Sequence, residues 1–427
     1  MEIKSIILAA GKGTRMKSET TPKVLHNIMG KTLLGYVLDN VKKVANEHFV
    51  IVGHHAQEVS NFVVENYSYD VKTILQTPQL GTGHAVSMVC PILENYNGLI
   101  LILCGDTPLI KHETLEKFIE FHTKKDSDIT VMSTIFENPY NYGRIIREKN
   151  NSVKAIVEER DANPKQREIK EVNAGIYCLN WGKVKHAFSQ LQTNNSQGEY
   201  YLTDIIEWGK KNRLSVNAYI LPDSNEIYGI NSRLNLAVAA KIMNKRNLEK
   251  YMEQGVTIVD PDSTWISEDT KIGQDTIIYP ATYIEGKNII GKNCQIGPCA
   301  HLRGDVEVCD NVKVGNFVEV KKSKISSNTN VGHLSYIGDS ELGEYVNIGA
   351  GTITANYDPI SKTKSRTTLQ NHVKIGSNSV LVAPVTIEEG ANIGAGSIIT
   401  KNIPQWALAI TRAPLKILEN WVKTRLK

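Results

Sequence analysis

The sequence predicts an α/β protein in two parts, a mostly parallel sheet wrapped by helices followed by a parallel β-helix. Three observations carry this. Short apolar runs alternate with amphipathic stretches over the first half of the chain. A long helix-forming segment follows at Ser232–Gln254. From Ile266 to Val320 an aliphatic residue then stands at every sixth position.

In the first half, Lys4–Ala10, His48–Val52, Val71–Leu75, Leu99–Leu103 and Ile129–Ile135 read as strands. Segments with helical spacing lie between them, such as Leu33-Val37-Val41-Val44 and Leu115-Ile119. Strands alternating with helices imply a mostly parallel sheet covered by helices. The segment Ser232–Gln254 carries Leu234, Val238, Ile242 and Leu248 among Ala, Lys, Asn and Glu, with Gly255 just beyond its end. It reads as a linker helix stopped by glycine. The expected divisions are 1–228, a linker at 229–254, and 255–427.

The ladder runs Ile266, Ile272, Ile278, Ile284, Ile290, Ile296, Leu302, Val308, Val314, Val320. With about a quarter of residues being Ile, Leu or Val, chance gives such a run roughly once in a million. A period of six fits neither a helix nor simple strand alternation. It fits a β-helix of hexapeptides. Each hexapeptide supplies a strand and a corner, the aliphatic points inward, and three make one coil. Four positions after the aliphatic stands a small residue, as at Thr270, Thr276, Thr282 and Ala300. The ladder has faults: Val320 to Ile325 and Ile337 to Leu342 are steps of five, and the pattern vanishes between Ile353 and Ile375. The gap contains the polar, basic run Asn356 to Arg366, expected as a loop thrown out from one corner. Long loops interrupting a repeat scaffold usually carry function.

Composition is that of a globular protein, 41% apolar and 22% charged. The longest apolar run, Leu99–Cys104, is too short to span a bilayer, and the N-terminus lacks the apolar core of a secretion signal. A cytoplasmic protein without a transmembrane segment is expected. Six cysteines form no CxxC pair and read as small buried thiols. Net charge is +4, and the tail from Arg412 to Lys427 accounts for it. The balance elsewhere argues against a nucleic-acid surface.

The first chemical signal follows the first strand: Gly11-Lys12-Gly13-Thr14-Arg15-Met16, then Pro22-Lys23. It is neither a Walker A loop nor GxGxxG. A glycine-rich turn still lets backbone N–H groups approach a phosphate, and Arg15 and Lys23 add two cations. Leu8-Ala9-Ala10-Gly11-x-Gly13-Thr14-Arg15-Met16 with Pro22-Lys23 resembles the signature of enzymes joining a nucleoside triphosphate to a sugar 1-phosphate. Further matches are Gln76, Leu80-Gly81-Thr82-Gly83-His84-Ala85, Gly105-Asp106-x-Pro108-Leu109, Tyr142-Gly143-Arg144-Ile145, Ile156-Val157-Glu158, Asn173-Ala174-Gly175-Ile176 and Gly229-Ile230-Asn231. With the hexapeptide half, the whole chain resembles the bifunctional bacterial enzymes that make UDP-N-acetylglucosamine.

That resemblance implies a Rossmann-like nucleotidyltransferase domain and a left-handed β-helix that trimerises side by side. It implies acetyl transfer from acetyl-CoA to glucosamine 1-phosphate. Uridylyl transfer from UTP to N-acetylglucosamine 1-phosphate follows, with release of pyrophosphate and supply of peptidoglycan and lipopolysaccharide precursors. In the first site it implies that Asp106 and Asn231 hold Mg²⁺, hard oxygen ligands for a hard cation. Arg15 and Lys23 neutralise the triphosphate. Leu8, Ala9, Ala10, Gly11, Gly13, Gln76, Gly81, Thr82 and Gly105 match nucleotide contacts; Gly143, Glu158 and Asn173 match sugar contacts.

In the second site the resemblance makes His333 the general base, a role suited to imidazole near neutral pH. Arg303 and Lys321 supply cations for the sugar phosphate. Tyr336 and Asn347 orient the sugar, together with a loop lysine. Ala350, Asn356, Tyr357, Ser377, Ala395 and Arg412 match acetyl-CoA contacts. Two departures stand out. His301-Leu302-Arg303-Gly304 replaces the family's R-x-R-P, and the loop is about two residues longer, which leaves Lys362 or Lys364 as the lysine, with Lys362 preferred. The alternative is a single-activity sugar-1-phosphate nucleotidyltransferase whose β-helix only oligomerises.

Overall fold

The computed structural model describes residues 2–67 and 70–426. By its internal contacts the chain divides into two units, 1–242 and 243–427, the division falling inside the helix Arg233–Glu253.

The first unit is built on β1 (Ile3–Leu8), β2 (Glu47–Val52), β3 (Val71–Leu75), β4 (Leu99–Cys104) and β5 (Ile129–Ile135). Four more strands complete it: β6 (Arg144–Arg147), β7 (Val153–Val157), β8 (Glu171–Asn180) and β9 (Val216–Ile220). The central order is β9-β5-β8-β4-β1-β2-β3, with β6 and β7 attached beside β8. Strands β4, β1, β2 and β3 run parallel. The inner strands β4, β1 and β2 are buried on both faces, as at Ile6, Ile7, Phe49 and Leu101–Leu103, whereas the edge strand β3 leaves Lys72 and Leu75 exposed. A parallel sheet sandwiched by helices requires such continuous apolar runs. Strand β8 lies antiparallel between β4 and β5, so the sheet is mixed. The apolar-run reading finds the first five strands and omits β6 to β9. In β8 a register shift between Asn173 and Tyr177 breaks the alternation that would mark a strand.

The second unit is the expected prism. Three parallel sheets of nine, eight and seven strands form its faces. Partners lie eighteen residues apart in the early coils, as in Ile266↔Ile284, Ile278↔Ile296 and Ile272↔Ile290. The inward aliphatics are buried, except that Ile272 is only partly covered. The small residues at Thr270, Thr276, Thr282, Cys294 and Ala300 are buried as well. Each corner needs one left-handed residue, and these recur at Asp275, Ala281, Asn293, Cys299, Asp305 and Asn311. Asn and Asp tolerate that backbone best.

The five-residue steps shorten coils without shifting the core. Val308↔Ile325, Val314↔Val331 and Val320↔Ile337 still pair, one residue short of a full coil. The gap reading needs correction. Ile353 faces outward, and Thr354 takes the inward place opposite Leu381. Leu369, also buried, takes the next position of the ladder opposite Leu342. Thr354 is tolerated inside because its hydroxyl accepts from Gly338 N at 2.8 Å and lies 3.2 Å from Tyr336 O. Only the segment between, with its small hairpin Tyr357–Asp358 against Thr363–Lys364, leaves the prism.

The open edge of the first coil is closed by the helix. Asn244 Nδ2 donates to Thr264 O at 2.7 Å, its Oδ1 accepts from Ile266 N at 3.1 Å, and Tyr251 OH donates to Thr270 O at 2.6 Å. These side chains satisfy strand groups that an exposed edge leaves unpaired. All six cysteines are free; Cys178 and Cys294 are buried and the other four partly so. No helix among the described residues is long and apolar enough to cross a membrane.

Candidate active sites

In the first unit, the carboxyl ends of parallel strands β4, β1, β2 and β3 lie side by side, the place where open α/β sheets bind ligands. Strand β1 delivers Leu8, Ala9 and Ala10 to the glycine turn. Gly13 has φ +61°, and a Cβ there would lie 2.7 Å from Lys23 Cβ. Glycine is therefore required both for the backbone and for the approach of Lys23. Gly105, just after β4, donates to Leu8 O at 2.9 Å and ties the two strand ends together.

Asp106 follows at once. Lys23 forms an ion pair with it. The same ammonium donates to Asn231 Oδ1 at 2.7 Å, and Arg15 donates to that oxygen at 2.9 Å. Ile230 N donates to Asp106 O at 3.0 Å, which fixes the Asn231 segment against the β4 end. Two oxygens thus converge on one positive charge. The donor set, one carboxylate and one amide oxygen, suits a hard divalent cation. No cluster of three or more His, Cys, Asp or Glu side chains with metal-site geometry occurs among the described residues.

Beyond β3, Gln76 is buried and its Nε2 donates to Gly81 O at 2.9 Å. Its Oε1 makes no hydrogen bond among the described residues, so the amide is held at one end and available at the other. Thr82 Oγ1 accepts from Leu202 N at 3.0 Å. On the other side of β4, Gly143 O accepts from Asn173 N at 2.8 Å. A Cβ on Gly143 would lie 3.3 Å from Glu158 Oε2. Burial pushes the Glu158 carboxyl above its ordinary range. Asn173 is fixed at both ends, Nδ2 donating to Tyr177 OH at 2.9 Å and Oδ1 accepting from Gly175 N at 2.9 Å. Tyr177 is absent from the sequence reading; its spacing of four from Asn173 across a bulge gives no alternation to read. Burial also raises the Cys104 thiol, to about 12, beside Asp106.

On the prism, the second set falls on two adjoining faces. Arg303 pairs in register with Lys321, and Lys321 with Gly338. Tyr336 begins the next strand of that face, opposite Glu319. Gly338 lacks a side chain where the Tyr336 ring lies. Arg303 is braced by Glu319 at 2.8 Å and Glu285 at 3.5 Å. His301, where the family has arginine, lies 3.4 Å from Glu285 Oε1 and packs on Tyr283 at 5.3 Å between ring centroids. His333 ends a strand of the neighbouring face, and its Nδ1 is 2.5 Å from Asn316 Oδ1. An amide oxygen only accepts, so this contact places the proton on Nδ1 and leaves Nε2 as the basic nitrogen. Sequence reasoning missed Asn316, which lies seventeen residues before His333 and becomes its neighbour only through the coil. Asn347 Oδ1 accepts from Asn330 Nδ2 at 3.3 Å in the same face.

Ala350, Ser377 and Ala395 stack at one corner in successive coils. Each follows a glycine that the next coil crowds: a Cβ on Gly349 would lie 2.5 Å from Ser377 N, and one on Gly394 2.9 Å from an Arg412 nitrogen. The result is a bare backbone column ending at Arg412, which forms no ion pair among the described residues. Asn356 is buried and bonded to Asp339, whereas Tyr357 is exposed at the hairpin. Lys362 sits at the hairpin tip with φ 56°, Lys364 on its second strand, and both are exposed.

A nucleotide-type sheet with a cation-lined strand end, joined to a hexapeptide prism with its own histidine site, defines a two-activity transferase. Comparison with known proteins agrees. The nucleotidyl transferase family model matches residues 4–224, and the bacterial transferase hexapeptide model matches 289–322 and 366–401. The chain is 42% identical to the bifunctional protein GlmU of Alkaliphilus metalliredigens, over 99% of this chain and 98% of that one. It is 43% identical to that of Geobacillus thermodenitrificans, over 98% and 97%. A crystal structure of UDP-glucose pyrophosphorylase with UDP-glucose covers 58% of this chain and 100% of its own, at 18% identity and a TM-score of 0.47. The chain belongs to the bifunctional GlmU family. It is a bifunctional transferase of UDP-N-acetylglucosamine synthesis, with acetyltransferase and uridylyltransferase activities.

Proposed function

We propose that the two side-chain constellations divide the two reactions between them, the strand ends of the first unit performing uridylyl transfer and the prism corner acetyl transfer. The observation that carries the first assignment is the convergence of Lys23 and Arg15 on Asn231 Oδ1, with Asp106 on the same ammonium. Phosphoryl-type transfer depends on positioning and charge neutralisation. When UTP enters, Lys23 and Arg15 exchange these oxygens for phosphate oxygens. Asp106 and Asn231 would hold Mg²⁺, which would supply charge neutralisation at the reacting phosphate. Gln76 and the Gly81-Thr82 turn read the uracil. Gly143, Glu158 and Asn173 hold the sugar, the pinned Asn173 amide offering a rigid contact at little entropic cost.

In the prism, His333 Nε2 takes the proton from the amine of glucosamine 1-phosphate as it attacks the thioester of acetyl-CoA. Asn316 holds the tautomer. Arg303 and Lys321 bind the phosphate, Tyr336 and Asn347 orient the sugar, and Lys362 reaches the site from the hairpin. Coenzyme A lies along the column Ala350, Ser377, Ala395, with Asn356 and Tyr357 beside it and Arg412 on a phosphate. A homotrimer is supported by the outward residues of the faces. The seven-stranded face bears an alternating Glu307, Lys324, Glu341 ladder suited to water. The eight-stranded face instead presents Ile353, Val380 and Ile398 in register. Side-by-side packing of that face would cover them.

The test is a substrate panel. Acetyl-CoA with glucosamine 1-phosphate should release free thiol. UTP, Mg²⁺ and N-acetylglucosamine 1-phosphate should release pyrophosphate, with other nucleoside triphosphates much slower. Absence of thiol release from active uridylyltransferase would remove the prism assignment.

A further inference from the structure

Strand β2 is followed by Gly53-His54-His55, between the glycine turn after β1 and the uracil side after β3. His54 N lies 3.4 Å from Ala10 O, so the pair sits against the phosphate turn. A polar cavity beneath that turn is lined by Gly11, Lys12, Gly13 and Lys23 on one wall and by His54 and His55 on the other. No carboxylate is among its lining residues. The His54 ring packs edge-on against His55 at 4.3 Å and makes no hydrogen bond among the described residues. His55, with a left-handed backbone, is braced through Nδ1 by Glu58 at 2.9 Å. Lys12 has no ion-pair partner among the described residues. Glu58 holds His55 and Asp106 holds Lys23 from outside the cavity. The unpaired Lys12, the unbonded His54 ring and the glycine turn face a space that no carboxylate lines, which suits a phosphate.

We infer that His54 and His55 form the far wall of the site for the leaving pyrophosphate; this rests on the uridylyl-transfer reading above. The direction follows from in-line displacement, which puts attacking and leaving oxygens on opposite sides of the phosphorus. The sugar-side residues Gly143, Glu158 and Asn173 lie on the β8 side of β4. Asp106 stands at the end of β4 itself. The leaving group must depart away from the sugar, toward β1 and β2, where the cavity lies. The bond from the α-phosphorus to the bridging oxygen breaks as the sugar-phosphate oxygen bonds to phosphorus. The electron pair leaves on pyrophosphate, whose charge Lys12, Lys23 and the two histidines meet.

The reverse reaction, UDP-N-acetylglucosamine with pyrophosphate and Mg²⁺, reads this directly. His54→Ala and His55→Ala should raise KM for pyrophosphate about tenfold while KM for UDP-N-acetylglucosamine stays within twofold. His54→Lys should restore most of the loss. Acetyl transfer by the same preparations checks that they fold. An unchanged KM for pyrophosphate overturns the inference, and so does a parallel rise in both KM values, which would mean the histidines only shape the turn. A wild-type enzyme without pyrophosphorolysis overturns the uridylyl-transfer reading itself.

Discussion

The ammonium of Lys23 donates a 2.7 Å hydrogen bond to the amide oxygen of Asn231, 208 residues further along the chain. Asp106 shares that ammonium. Lys23 is thus seated between an amide oxygen and a carboxylate. Removing either oxygen should therefore act on metal affinity and on the poise of Lys23 together.

Asp106→Ala is expected to lower uridylyl transfer by on the order of a hundred- to a thousandfold, the scale for loss of a main electrostatic group. Acetyl transfer should be unaffected. Parallel assays of pyrophosphate and thiol release check both halves. Equal loss in both reactions would point to misfolding instead.

His333→Ala should reduce acetyl transfer by about a hundred- to ten-thousandfold, as expected for removal of a general base. Asn316→Ala should cost less, roughly tenfold, by releasing the tautomer that the 2.5 Å contact selects. Its signature is a changed pH profile for kcat with little change in KM for acetyl-CoA. Uridylyl transfer should stay at the wild-type rate in both variants.

Thr354→Val keeps the shape of an inward position but removes the hydroxyl that accepts from buried Gly338 N. An orphaned buried donor costs about 1–3 kcal/mol. Thermal or denaturant unfolding of the prism should show that loss, whereas an aliphatic at an ordinary ladder position would stabilise it.

Acid should loosen the first unit before the prism. Burial holds His48 at about 4, against an ordinary 6.5, with its Nδ1 2.8 Å from Ser5 Oγ. His122 is likewise held at about 4, with Nδ1 2.7 Å from Thr130 Oγ1. A depressed histidine favours the neutral form in the fold. Its contribution is complete above 6.5 and is lost as pH falls from there toward 4. Melting curves of the first unit should therefore decline across that window. The double variant His48→Gln, His122→Gln should flatten the decline; an unchanged slope would assign it to other groups.

Much of this was legible in one dimension. Period six is a local property, since each hexapeptide makes its own strand and corner, so the ladder names the prism without any knowledge of contacts. The residue motifs after β1, β3 and β4 were legible in another way, as matches in order to a family signature rather than as a periodicity. The inward turn of Thr354 was not legible, because a hydroxyl is accepted in the core only when a neighbouring coil offers Gly338 N and Tyr336 O. Nor was the antiparallel placement of β8, whose bulge erases the alternation that periodicity reads.

The sequence by itself determined the hexapeptide prism and the strand-helix alternation, because these follow from spacing and residue type; it offered the candidate site residues through resemblance to a family signature. Only the tertiary structure decided their company. It set Lys23 and Arg15 on Asn231, Asn316 on His333, Tyr177 on Asn173, and His54 and His55 under the glycine turn. Such pairs depend on which strand ends and coils become neighbours, a matter of sheet order and coil length that no local pattern encodes.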